Sequence, residues 1–197
     1  MDLLITGDLY IGDSFKCKEL FDKSFVEFFH NVDYRIVNLE APITTPDPKN
    51  KLVKTGRHLC SSAGNIIPYL NLLKVNIVTL ANNHIMDYGR KGLSDTISSL
   101  SENEINYVGA GAHLHEAQRP ITIEKEGLRI AILNFTENEW SIANEGMPGA
   151  NPLDIIDNVN QIIEAKRSHN KVLCIIHGGH EYYNLPTPRM VKQYHFY

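Results

Sequence analysis

The chain has 197 residues, with 19 Lys and Arg against 23 Asp and Glu, a net charge of −4 and 43% apolar residues. These values fit a single globular domain over residues 1–197 and exclude global disorder. They offer no basic block to neutralise a phosphate backbone, so no nucleic-acid partner is expected. Cys17, Cys60 and Cys174 are far apart and form no CxxC pair, which fits a reducing compartment. No apolar run approaches the ~20 residues of a membrane helix. The opening MDLLITGDLY lacks the basic segment and long apolar stretch of a secretory leader. A cytoplasmic location is the expectation.

Taken in chain order, Leu3-Leu4-Ile5 opens a strand and a helix is expected from about Lys18 to Phe29. Arg35 to Leu39 reads as a strand, and the Pro-rich PITTPDPKNK after it as a loop. Ile66, Ile67, Leu70 and Leu73 recur at helical spacing, Asn76 to Leu80 is the next strand, and Leu93, Ile97 and Leu100 mark another amphipathic helix. A short strand covers Ile105 to Val108. The runs Ile121–Glu124 and Leu128–Leu133 flank Lys125-Glu126-Gly127 as a hairpin, so part of the sheet structure is antiparallel. Asn151-Pro152 reads as a helix start, with Ile156, Val159 and Ile163 as its apolar face, and Lys171 to Ile176 is the last strand. The alternation predicts an α/β fold with a mostly parallel core sheet.

The polar residues fall where these strands end. The first ends in Thr6-Gly7-Asp8, the second in Asn38-Leu39-Glu40, the third in Ala81-Asn82-Asn83-His84, and the last in His177-Gly178-Gly179-His180-Glu181. Ligands of open α/β sheets bind outside the carboxyl ends of the strands, so Asp8, Glu40, Asn83 and His177 are expected to converge on one crevice. Oxygen and imidazole donors without thiolate suit Mn²⁺, Zn²⁺, Fe²⁺ or Mg²⁺. A carboxylate such as Glu40 can bridge two ions ~3.5–4 Å apart. His84 is placed to protonate a leaving group, with Asp87 orienting it. Taken singly, Gly7-Asp8 is an ordinary turn, Glu40 a solvated loop carboxylate and Asn82-Asn83 a helix cap. Together they form a constellation that those readings do not explain. His30, His58, His113, His115, His169 and His195 read as surface or packing residues, and Trp140 as a packing residue. No GxSxG or P-loop is present in the sequence.

GDLYIGD, NLEAPIT, LANNHIMDYGRKGLSDTI, YVGAG and HGGHEYYNLP, in this order and spacing, resemble the CapA family. This is the poly-gamma-glutamate and capsule biosynthesis group of the calcineurin-like metallophosphatase superfamily, and the resemblance covers essentially the whole chain. It implies an α/β/β/α sandwich, a divalent metal centre of two ions on Asp8, Glu40, Asn83 and His177, and His84 as the catalytic imidazole. Asp87 and Glu181 match family positions near the site, and His180 and Glu181 are candidates for substrate contacts. The implied partners are a capsular polymer or its precursor and membrane-associated capsule synthesis proteins. The implied reaction is hydrolysis or transfer at an amide or ester bond, or phosphoester cleavage.

Two departures stand beside the resemblance. Superfamily members often open with Asp-x-His, whereas Tyr10 follows Asp8 here. The family also continues past HGGHEY to a Gly-His-His-Pro-His type element, so the expectation is a C-terminally truncated domain with incomplete ligands and marginal stability. A non-catalytic binding subunit is the competing expectation.

Overall fold

The computed structural model describes residues 1–15, 18–180 and 182–197, so Cys17 and Glu181 lie outside the described residues. The first half builds β1 (Leu3–Leu9), α1 (Lys23–His30), β2 (Tyr34–Leu39), α2 (Ala63–Leu72), β3 (Ile77–Thr79), α3 (Gly89–Glu102) and β4 (Asn106–Val108). Its strands form one parallel sheet in the order β1-β2-β3-β4. The second half adds β5 (Ala110–Gly111), α4 (Leu114–Ala117), β6 (Ile121–Lys125), β7 (Leu128–Thr136), β8 (Gly149–Ala150), α5 (Ile155–Lys166), β9 (Lys171–His177) and α6 (Pro188–Phe196). Here β6 and β7 make the expected hairpin and β7 pairs parallel with β9. The strand carrying His177 therefore belongs to a second sheet rather than to the first.

Strand alternation sorts the core into layers. Ile36, Ile77 and Val108 of the first sheet meet Ile123, Ile130 and Ile132 of the second. Their neighbours Val37, Leu39 and Val78 turn the other way, onto Ile66 and Leu70 of α2 and Leu93 and Leu100 of α3. Ala131, Leu133 and Phe135 likewise face Ile162 and Ala165 of α5. This is the α/β/β/α sandwich that the resemblance implied.

Two helix expectations need correction. The first helix begins at Lys23 rather than Lys18, because the Asp22 carboxylate accepts from Phe25 N at 2.8 Å and caps it there. The helix expected at Asn151 begins at Ile155, with Asp154 capping Ile156 N and Asp157 N, each at 3.0 Å. Asn151 is instead held against the sheet: its backbone N–H donates to Gly109 O at 2.8 Å and its side-chain amide to Asn134 O at 3.1 Å. The buried face is also rotated. Asn158, Ile162 and Ala165 face the sheet, while Ile156 (74% exposed) and Ile163 (51%) face solvent.

Candidate metal centre and adjoining cleft

The centre is assembled on β1 and β2. Ile5 lies opposite Ile36, but Asp8 lies opposite Asn38, so β1 spends one extra residue on the same length of partner strand. Such a bulge re-aims a side chain. Without it Gly7, not Asp8, would stand across from Asn38. Asn38 on β2 and Glu40 just past its end are two residues apart and project to the same side. The Asn38 amide uses both N–H donors there, one to Asp8 Oδ1 at 2.7 Å and one to Glu40 Oε2 at 2.5 Å. Its carbonyl accepts from Thr79 Oγ1 and Asn82 Nδ2, each at 3.2 Å. Asn82 also donates to Leu39 O at 2.8 Å and accepts from His84 N at 3.1 Å, which shapes the turn carrying Asn83 and His84.

His177 arrives from the other sheet. Its Nε2 lies 3.3 Å from Asn83 Oδ1 and 3.7 Å from Glu40 Oε1, and its Nδ1 lies 3.6 Å from Asp8 Oδ1. Asp8, Glu40 and His177 each offer a ligand atom, all within 4.8 Å of one another. All four expected ligands thus meet at one place. Burial pushes the Glu40 carboxyl above its ordinary range, the His177 charge opposes that shift, and the Asp8 charge adds to it. The His177 imidazole holds Asp8 below its ordinary value against burial. Burial alone would depress His177, but the facing Asp8 and Glu40 carboxylates outweigh it and raise the imidazole. Two carboxylates crowded around one imidazole, with an amide oxygen beside them and no thiolate, fit a divalent cation. Neither described thiol is prepared as a nucleophile: burial pushes Cys60 up and Cys174 up to about 11.

The turn after β3 carries the second part of the site. His84 Nδ1 lies 2.7 Å from Asp87 Oδ2, the pairing expected from the sequence, and the same oxygen accepts from Leu59 N at 2.7 Å. The other Asp87 oxygen is ion-paired with Lys54, which the sequence reading did not single out. Asn134 was also missed. This buried amide in the apolar run of β7 accepts from Ala81 N at 2.7 Å and donates to Ile175 O at 3.1 Å. It ties the turn that holds Asn83 to the strand that holds His177. Asn38 and Asn134 were signalled by amides inside otherwise apolar strands, Asn38 also by its period-two spacing to Glu40. Nothing in the loop sequence signalled Lys54.

A cavity of about 460 Å³ opens over Asp8, Glu40, Asn83, His84 and His177, with His180 on its wall. It adjoins a second cavity of about 1030 Å³ lined by Lys54, Arg57, His84, Glu139, Trp140 and Tyr183, among others. Trp140, 44% exposed, lines this cleft, which corrects the packing expectation. Glu137, at the end of β7, borders both cavities and accepts from Gly179 N at 3.3 Å. A side chain at Gly178 would meet Glu137 Cγ at 2.5 Å, so the two-glycine turn lets this carboxylate lie against the loop after His177.

The family model described as Bacterial capsule synthesis protein PGA_cap matches residues 2–197. The capsule biosynthesis protein CapA of Bacillus anthracis is 30% identical over 168 residues, covering 82% of this chain and 41% of that protein. The PGA biosynthesis protein CapA of Bacillus subtilis (strain 168) is 33% identical over 165 residues, covering 82% of this chain and 43% of that protein. A Mycobacterium tuberculosis protein named "Probable polyglutamine synthesis accessory protein" is 32% identical over 126 residues, 57% of this chain and 33% of its own length. The chain spans less than half the length of these curated relatives. With a match along nearly its whole length and a calcineurin-like sandwich beneath it, the chain belongs to the PGA_cap family of bacterial capsule synthesis proteins.

Proposed function

We propose that this chain carries a metal-dependent hydrolase or transferase centre acting in the synthesis of a capsule or exopolymer of the poly-gamma-glutamate kind. The observation that carries the reading is the meeting of Asp8, Glu40 and His177 within 4.8 Å beside Asn83 and the His84–Asp87 pair, at the floor of one cleft. Asp8, Glu40, Asn83 and His177 would hold one or two ions drawn from Mn, Zn, Fe or Mg. A divalent cation there supplies Lewis acidity, polarising the group under attack and making water a better nucleophile.

The chain's own residues complete the chemistry. With Nδ1–H committed to Asp87, His84 in its imidazolium form would give the Nε2 proton to the leaving group and be left as the neutral Nδ1–H tautomer. His180 and the Trp140 wall are placed to contact the substrate, and Glu181 is a further candidate from the sequence. The relatives' names point to a polymer or its precursor as substrate. Membrane-associated capsule synthesis proteins are the partners we propose, and a cytoplasmic site of action is part of the same reading. Among the described residues, no helix is long and apolar enough to cross a membrane.

Elemental analysis after Mn²⁺ or Zn²⁺ reconstitution, followed by a screen of phosphoesters and glutamyl amides, tests this reading. The expected result is bound metal that is lost in Asn83→Ala, and turnover that is lost in His84→Ala with metal retained. Full turnover by metal-free protein would overturn it.

A further inference from the structure

Lys54 lies in a loop rich in basic residues (Lys49, Lys51, Lys54, Arg57), where a lysine is ordinarily solvated. Its side chain is nevertheless only 2% exposed, and it is ion-paired with Asp87, whose side chain is 0% exposed. The ammonium also sits 3.2 Å from His84 Nδ1 and 6.0 Å from the centre of the Trp140 ring. A buried ammonium persists only where it is paired, and Asp87 is the one carboxylate paired with it among the described residues. The loop is folded onto the same aspartate: Leu52 N donates to Asp87 O at 3.0 Å and Leu59 N to Asp87 Oδ2 at 2.7 Å.

The donor and acceptor count decides what this does to His84. Asp87 Oδ2 takes His84 Nδ1 and Leu59 N, which leaves Oδ1 to Lys54. An ammonium has three donors and no acceptor, so it cannot take a proton from the imidazole. Nδ1 faces the Lys54 ammonium at 3.2 Å and the Asp87 carboxylate at 2.7 Å, and a bare Nδ1 would set its lone pair against the nearer, negatively charged oxygen, so Nδ1 carries the proton. We infer that Lys54 is a positioning residue: it fixes the charge and rotation of Asp87, and through Asp87 the ring orientation and Nδ1–H tautomer of His84. The chemical consequence rests on the reading of His84 as the proton-transferring group; the geometric one does not.

The test is nitrogen NMR of ¹⁵N-histidine-labelled protein at constant pH, with the His84 signals identified by their loss in His84→Gln. Wild type is expected to show a protonated Nδ1 with a slowly exchanging proton. Lys54→Met is expected to show tautomer-averaged nitrogens, and Lys54→Arg to restore the wild-type pattern. If Lys54→Met does not fold, Lys54→Gln, which can donate a hydrogen bond but carries no charge, gives the same reading. On whichever substrate turns over, kcat should fall roughly 10- to 100-fold with KM unchanged. An unchanged His84 tautomer in a folded Lys54→Met or Lys54→Gln protein would overturn the inference. Absence of metal from wild type would instead sink the hydrolase reading and leave this measurement intact.

Discussion

Asp87 on one hand, and Asp8 and Glu40 on the other, are solvated and paired in opposite ways. Asp87 is fully buried, with Lys54 ion-paired to one oxygen and His84 and Leu59 N on the other. Asp8 and Glu40 share one amide donor group and one imidazole, and Glu40 is pushed toward its neutral form by burial. A buried, paired carboxylate holds its neighbours still. A crowded, partly solvated pair is primed to take up positive charge. The contrast separates the part of the candidate site proposed to position His84 from the part proposed to bind a cation.

The largest expected effect follows from that contrast. Asp87→Ala strands a buried ammonium and should cost about 3–5 kcal/mol in denaturant unfolding. Asp8→Asn removes both the like charge beside Glu40 and a half-exposed partner of His177, so it should change metal-free stability by no more than about 1 kcal/mol while weakening Mn²⁺ binding more than roughly 10-fold. Equal destabilisation by the two substitutions would erase the distinction. The next effect concerns the tie between the halves of the site. Gly109 has φ +94°, and an added Cβ would lie 2.1 Å from Asn134 Oδ1. Gly109→Ala should therefore cost about 1–3 kcal/mol in unfolding and weaken Mn²⁺ binding as well. Loss of stability with intact metal affinity would show that the Asn134 bridge does not govern ligand spacing.

The smallest effect is a pH dependence at His177. Its folded value is raised, so its contribution to stability is fully present below the ordinary imidazole value of 6.5 and fades as pH rises through the folded value. Without metal, thermal stability should decline over that interval, and His177→Gln should flatten the decline. With Mn²⁺ the trend should reverse, because a ligating imidazole must first lose its proton. Melting curves with and without Mn²⁺ read both.

The candidate ligands were legible because Asp8, Glu40, Asn83 and His177 each follow an apolar run, where a strand's carboxyl end places polar residues; that His177 comes from a second sheet was not. The His84–Asp87 spacing was equally local. Lys54 was not legible, since its burial depends on a loop folding back onto a turn some thirty residues away. The α5 face was misread for a related reason. Ile156, Val159 and Ile163 have helical spacing, but Asn158 is drawn inward by its hydrogen bond to Pro152 O at 3.1 Å, and that phase wins.

Asp8, Glu40 and Asn83 belong to the first sheet and its turns, whereas His177 belongs to the second. The candidate centre is thus a rivet across a seam between two separately hydrogen-bonded layers. It cannot form within either layer alone, so it comes into being only when they dock. Any cation it holds would add its binding energy to the seam rather than to either sheet. Small sliding of one layer past the other would detune the ligand spacing before it disturbed a single strand pair.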